Sequence, residues 1–285
     1  FDCSKGDLGA ELAKEFNKRK PASRVVIWLT GRGQCYSSPL NFKGMDKVIL
    51  YADAFNPLNP WSLEINAPNP ATSPPAILMT GGNLEMVGMN LRLNPNTLMP
   101  SLVTVVDGNL TLTGCQLQGP MLKRFDAFQS VVALKNNRFA ASTLLVHDSK
   151  LLSSRAVAYL QDHVQMQARN CLMVSFNDAI LMEVTQATTN LKHVFDHNTF
   201  AVRNNTFVLR NSPVLQANGQ APVHANSNAF LAPFADSGEK RALVGSTDAW
   251  LGQGRWAWQG RHNVYDARLH GYLHRQYAAN EDRII

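Results

Sequence analysis

Asn83-Leu84-Glu85-Met86-Val87-Gly88-Met89-Asn90-Leu91-Arg92-Leu93 is followed, 26 residues on (position 83 to position 109), by Asn109-Leu110-Thr111-Leu112-Thr113-Gly114-Cys115-Gln116-Leu117. Both copies run as Asn, an alternating segment, Gly, and a second alternating segment. Each is preceded by an apolar run ending in a Gly turn: Ala76-Ile77-Leu78-Met79-Thr80 before Gly81-Gly82, and Leu102-Val103-Thr104-Val105-Val106 before Asp107-Gly108. Period-two alternation bounded by Gly and Asn is the signature of short strands. Self-similarity at a period of this size marks a solenoid, in which each coil buries its apolar face against its neighbours.

Outward from these two copies, a small or amide-bearing residue precedes an apolar one by two positions seven times. The copies are Met89-Asn90-Leu91, Cys115-Gln116-Leu117, Asn137-Arg138-Phe139, Asn170-Cys171-Leu172, Asn198-Thr199-Phe200, Asn228-Ala229-Phe230 and Asn263-Val264-Tyr265. In an extended chain, residues two apart share a face. If both face inward, stacked coils build an apolar column beside a ladder of amides that hydrogen-bond from coil to coil. The competing reading is that Asn marks turns after strands.

Ser4-Lys5-Gly6-Asp7 leads into Leu8, Leu12 and Phe16, and the run stops before Pro21. That spacing predicts one amphipathic helix of about 14 residues with a Ser or Asp cap and a basic end, laid over the open end of the stack. Strands are expected at Val25-Val26-Ile27-Trp28-Leu29 and Val48-Ile49-Leu50-Tyr51. The stretch 55–75, with Pro57, Pro60, Pro68, Pro70, Pro74 and Pro75, reads as a long excursion from the coils. One continuous domain results: a cap over 1–45 (helix plus first strand), coils over 46–235, and a last coil with a C-terminal cap over 236–285.

The pattern resembles the right-handed parallel β-helix of the pectate-lyase-like superfamily, over roughly Val25 to Tyr265. The resemblance implies an all-β solenoid with an N-terminal capping helix. It implies no single activity, because such folds serve lyases, hydrolases, esterases, tailspikes and adhesins. The superfamily's catalytic signatures do not transfer as sets: the single Arg-x-Pro-x-x-Arg, Arg19-Lys20-Pro21-Ala22-Ser23-Arg24, lies in the cap ahead of the coils, and the chain has no Asp-Asp pair, no Gly-His-Gly and no clear match to the esterase arrangement of two Asp, Gln and Arg. Asp178 and Glu183 stand five positions apart and read as a solvated turn Asp and an outward Glu rather than as a hydrolase pair.

With 285 residues, 45% hydrophobic and 17% charged, the chain has enough apolar content for a large core. The formal net charge of +6 points to an anionic partner such as an acidic polysaccharide, nucleic acid or the phosphate-bearing surface of an envelope, and an ordinary excess of charge on a soluble protein reads equally well. No run of four Lys and Arg exists to act as a nucleic-acid arm, and the basic stretch Lys14 to Lys20 ends a helix, where cations are favoured by the dipole. No apolar run is long enough for a membrane span. The start at Phe1, without a basic-then-apolar leader, reads either as a chain whose leader has been removed or as a piece of a larger polypeptide, secreted or in the cell envelope. Cys115 and Cys171 look like small buried hydrophobes, while Cys3 and Cys35 flank the helix and are disulfide candidates. With no CxxC pair and no His at ligand spacing beside the cysteines, neither a metal nor another cofactor is expected. Asn109-Leu110-Thr111 and Asn204-Asn205-Thr206 match glycosylation acceptors.

Two regions carry candidate site residues. In Lys192-His193-Val194-Phe195-Asp196-His197-Asn198, continuing to Arg203 and Arg210, His193 and His197 project together if the segment is one strand. A uronate lyase needs a cation for the carboxylate and a base for a ring proton, and His193, His197, Arg203 and Arg210 are the residue types for both. A polar outer strand face has the same composition. Toward the C-terminus, Trp250, Arg255, Trp256, Trp258, Arg261 and His262 interleave rings that stack on sugars with cations that pair with carboxylates or sulfates. The rival reading plugs the open end of the stack with those rings. Two functions follow: a non-catalytic module with a scaffold, adhesion or anionic-glycan-binding role, or a lyase or hydrolase of an acidic polysaccharide.

Overall fold

The computed structural model describes residues 1–18, 23–58, 60–66, 74–94, 97, 99–121, 128–138, 140–184, 191–210, 221–233, 242–246, 256–266, 268–269 and 271–275. They form a right-handed parallel β-helix with a helix at its N-terminal end. Three sheets of nine strands run its length, and neighbours within a sheet are three strands apart in sequence, so each coil gives one strand to each sheet. Sheet 1 holds the opening strands of coils 1 to 9: Arg24–Leu29, Lys47–Ala52, Asn83–Val87, Asn109–Thr113, Ser142–His147, Val164–Arg169, His193–Asp196, Ala221–Asn226 and Trp256–Arg261. Parallel strands linked by the rest of a coil satisfy the backbone from coil to coil, which a lone coil cannot do.

Alternation sorts each strand into inward and outward residues. Leu110 and Leu112 are fully buried while Thr111 between them is only half-buried. In sheet 2, the inward column runs Leu63, Leu91, Leu117, Leu151, Met173, Phe200, Phe230 and Tyr265 in register. Its filling changes from aliphatic to aromatic along the axis. Phe200 stacks on Phe230 at 5.1 Å, and Phe230 on Tyr265 at 5.3 Å. Large rings fill these coils with few side chains, and removing one such ring costs about 3–5 kcal/mol.

The residue two places before that column is the ladder position: Met89, Cys115, Ser149, Cys171, Asn198, Asn228 and Asn263. This corrects two of the seven repeats predicted from sequence. Asn170 lies one residue ahead of the true position, Cys171. Asn137 belongs to another corner, where its N–H donates to Asp107 Oδ1 at 2.8 Å, and Phe139 lies outside the described residues. Amide, thiol, hydroxyl and thioether side chains occupy the same site, so where Asn170 precedes Cys171 and where Ser149 replaces the amide, residue type alone does not fix the register.

The helix spans Leu8–Lys18, shorter than the sequence predicts. Asp7 caps it by accepting from Ala10 N at 3.0 Å, and the same oxygen accepts from Ser38 N and Ser38 Oγ at 3.0 and 2.9 Å. Burial opposes ionisation of Asp7, but these hydrogen bonds outweigh it and hold the carboxyl below its ordinary range. Leu8 and Leu12 join the solenoid core, and Phe16 meets Phe42 edge-on at 6.3 Å. The helix therefore covers apolar surface at the end of coil 1.

The Pro-rich stretch 55–75 is not one excursion. Within it, Trp61–Ile65 is the sheet 2 strand of coil 2, with Trp61, Leu63 and Ile65 in the hydrophobic core; residues 67–73 lie outside the described residues. The prolines flank this strand without interrupting its ladder. Coil 1 likewise contributes three strands, not one, before residue 45. All four cysteines are buried free thiols, so Cys3 and Cys35 are not joined.

Candidate binding surface

Between sheets 1 and 2 the chain turns through one left-handed residue in each of seven successive coils. These are Gly88 (φ 65°), Gly114 (61°), Asp148 (50°), Asn170 (53°), His197 (54°), Ser227 (53°) and His262 (54°). Gly, Asn, Asp and His are the types that tolerate this conformation best. Each turn residue from Gly88 to Ser227 donates its N–H to a carbonyl of the next coil, at 2.9 to 3.1 Å. The corner is thus hydrogen-bonded along the axis like a strand and presents its side chains on a rigid edge.

Beside it runs an outward register column of sheet 1: Trp28, Tyr51, Val87, Thr113, His147, Arg169, Asp196, Asn226 and Arg261. Together the column and the turn residues make a stripe along the molecule. Asn170 Nδ2 donates to Asp148 Oδ1 at 2.6 Å, and Asn226 Nδ2 to Asp196 Oδ1 at 3.0 Å. His197 Nδ1 lies 2.9 Å from the same Asp196 oxygen, and Arg169 Nε 3.7 Å from the other. Both carboxylates are thereby held by neighbours within the stripe, while Arg169, Asn170, His197, Arg261 and His262 stand exposed. An open depression of roughly 560 Å³ lies between Thr113, His147, Asp148, Arg169, Asn170 and His197.

The four catalytic candidates do not meet. His193 points into the core in the column of Met166 and Val223, 2% exposed, where its Nδ1 accepts from Met166 N at 3.3 Å. Burial pushes its pKa down to about 4. His197 stands on the opposite side of the backbone, because the left-handed turn ends the strand at Asp196 and breaks the alternation expected to align the two imidazoles. Arg203 follows the sheet 2 strand Thr199–Val202, where its N–H donates to Ser175 O at 3.0 Å. Arg210 ends the strand Phe207–Arg210 on sheet 3, in register with Glu183. Glu183 accepts a hydrogen bond from Tyr159 Oη, and burial followed by that bond raises the Tyr159 pKa. Asp178 is no solvated turn residue: it accepts from Asn205 N and Nδ2 at 3.1 and 2.9 Å, and burial raises its pKa.

The C-terminal group is divided too. Trp258 is an inward residue, its ring 5.8 Å from both Phe207 and Phe230, so it fills the end of the core. Arg261 and His262 lie on the stripe with His197. Trp256 opens the last sheet 1 strand, and Trp250 and Arg255 lie outside the described residues. Sequence reading missed His147, Asp148, Arg169 and Asn170 as members of the same edge. The signal was present as the pair formed by a turn residue and a ladder residue: Gly114-Cys115, Asp148-Ser149, Asn170-Cys171, His197-Asn198, His262-Asn263.

Among the described residues, no three His, Cys, Asp or Glu side chains are placed to hold a metal ion, and no helix is long and apolar enough to cross a membrane. No protein-family model matches the chain, and no curated protein or solved structure matches it.

Proposed function

We propose that this chain is a non-catalytic β-helix module, of the pectate-lyase-like type, that binds an acidic glycan along the edge between sheets 1 and 2 and acts at a cell surface or outside the cell. The observation that carries this reading is the stripe itself: from the sixth coil to the ninth it presents Arg169 and Asn170, His197, Asn226, and Arg261 and His262 on a hydrogen-bonded edge, spaced at the strand separation of about 4.8 Å. An extended polymer with repeated carboxylates or sulfates meets such a surface at successive units, and guanidinium groups pair with those anions bidentately. The formal net charge of +6 favours the encounter. Dispersal of His193, His197, Arg203 and Arg210 over the core, two corners and sheet 3 argues against catalysis by that quartet.

Isothermal calorimetry with polygalacturonate, heparin and neutral dextran tests the reading. Binding of at least one acidic glycan, weakened by added salt and by Arg169→Ala or Arg261→Ala, is the expected result. Absence of binding to both acidic polymers, or release of unsaturated product that Arg210→Ala abolishes, would overturn it.

A further inference from the structure

We infer that Trp28 and Tyr51 form an aromatic stacking subsite at the N-terminal end of the stripe, so that the ligand is an extended acidic oligosaccharide lying along the solenoid axis. The inference rests on the glycan reading above and adds to it a direction, a length and a second kind of contact.

Trp28 and Tyr51 are register partners in the first two strands of sheet 1, and they begin the outward column that continues to Arg261. Their ring centroids lie 4.6 Å apart with planes inclined by 51°, so the pair presents an angled apolar surface rather than a flat one. Trp28 is 59% exposed and Tyr51 38%, with Val26 67% exposed on the same strand face. Large apolar side chains at strand positions that face water are poorly explained by core packing. Their distinguishing property is that they head the same outward register column whose later members, from Thr113 to Arg261, are polar. One outward residue per coil recurs at about 4.8 Å, comparable to the advance of one pyranose unit along an extended polysaccharide. A pyranose ring has an apolar face of C–H groups that packs on an indole or phenol, while its hydroxyl and carboxyl groups lie at its rim. A chain whose acidic groups lie against Arg169 and Arg261 therefore delivers ring faces to the aromatic pair when it is long enough to reach coils 1 and 2. Nine column positions separated by eight such steps span about 38 Å.

Calorimetric titration of wild type, Trp28→Leu, Tyr51→Thr and Arg169→Ala with galacturonate and heparin-derived oligosaccharides of graded length tests this. Melting temperatures verify that each variant is folded, and both aromatic positions are outward and leave the core unchanged. Wild-type affinity should rise with oligosaccharide length. Trp28→Leu and Tyr51→Thr should each remove about five- to tenfold from the affinity for the longest ligands and leave the shortest unaffected. Arg169→Ala should weaken binding at every length. If both aromatic variants bind the longest ligands like wild type while Arg169→Ala does not, the stacking subsite is refuted and the glycan reading stands. If wild type binds no acidic oligosaccharide at any length, both fall. A wild-type dimer in sedimentation that Trp28→Leu dissociates, with glycan affinity unchanged, overturns the subsite in favour of a contact between copies.

Discussion

Asn228 Oδ1 accepts two hydrogen bonds from Asn198, one from its backbone N at 2.9 Å and one from its Nδ2 at 3.0 Å. Asn263 Oδ1 does the same for Asn228, at 2.9 and 3.1 Å. Each Nδ2 also reaches a carbonyl of the preceding coil, from Asn198 to Ala168 and from Asn228 to Phe195, both at 3.0 Å. Three amides thus satisfy the buried backbone at a corner that bends too sharply for the sheet ladder to continue unaided.

Asn198→Ala and Asn228→Ala should each lower unfolding free energy by about 1–3 kcal/mol, since each leaves buried donors or acceptors unpaired. The double variant should cost less than the sum, because the two residues share bonds. Urea unfolding of the four species, read as a double-mutant cycle, checks the coupling; strict additivity would mean that the amides act singly.

His193 makes the fold acid-sensitive. Its folded pKa of about 4 lies below the ordinary 6.5, so from pH 6.5 downward the unfolded chain takes up a proton that the folded one refuses. Stability should fall between pH 6.5 and pH 4 by up to roughly 3 kcal/mol from this group, and the loss should level off below pH 4. His193→Met, matching Met166 in the same column, should flatten the denaturation profile over that window. An unchanged slope would contradict the assignment.

Gly88 and Gly114 occupy the same corner with φ of 65° and 61°, yet their surroundings differ. A Cβ on Gly88 would come within 2.2 Å of Ala52 O, whereas one on Gly114 meets nothing within 4 Å. Gly114→Ala should therefore cost only the left-handed strain of about 1–2 kcal/mol. Gly88→Ala should cost clearly more, because coil 2 must shift. Comparing the melting temperatures of the two variants measures the difference.

Native protein should react slowly with thiol reagents at pH 8. Burial raises the Cys3 pKa to about 12 and those of Cys115 and Cys171 to about 11, and raises Cys35 as well, so all four stay protonated and covered. After denaturation without reductant, four thiols should titrate; two would show that Cys3 and Cys35 are bonded.

The coils were legible in Asn83 to Leu117 because strand alternation and Gly turns are local, and stacking repeats them. The exact register was not. Ser149, Cys171 and Asn198 share one position defined by what lies a coil above and below, which no local spacing displays. Likewise, Trp61-Ser62-Leu63-Glu64-Ile65 alternates like any other strand but is bracketed by prolines that marked it as loop.

By itself, the sequence determined the β-helix, the capping helix over Leu8 to Phe16, the inward aromatic column and the amide ladder of the last coils, all of which follow from periodicity and side-chain size. Only the tertiary structure decided the surface. A single left-handed residue at His197 sends His193 into the core and His197 to the edge. Stacking then aligns that edge with Arg169 and Arg261, residues 28 positions before His197 and 64 after it, because neighbours across a parallel sheet are distant in sequence.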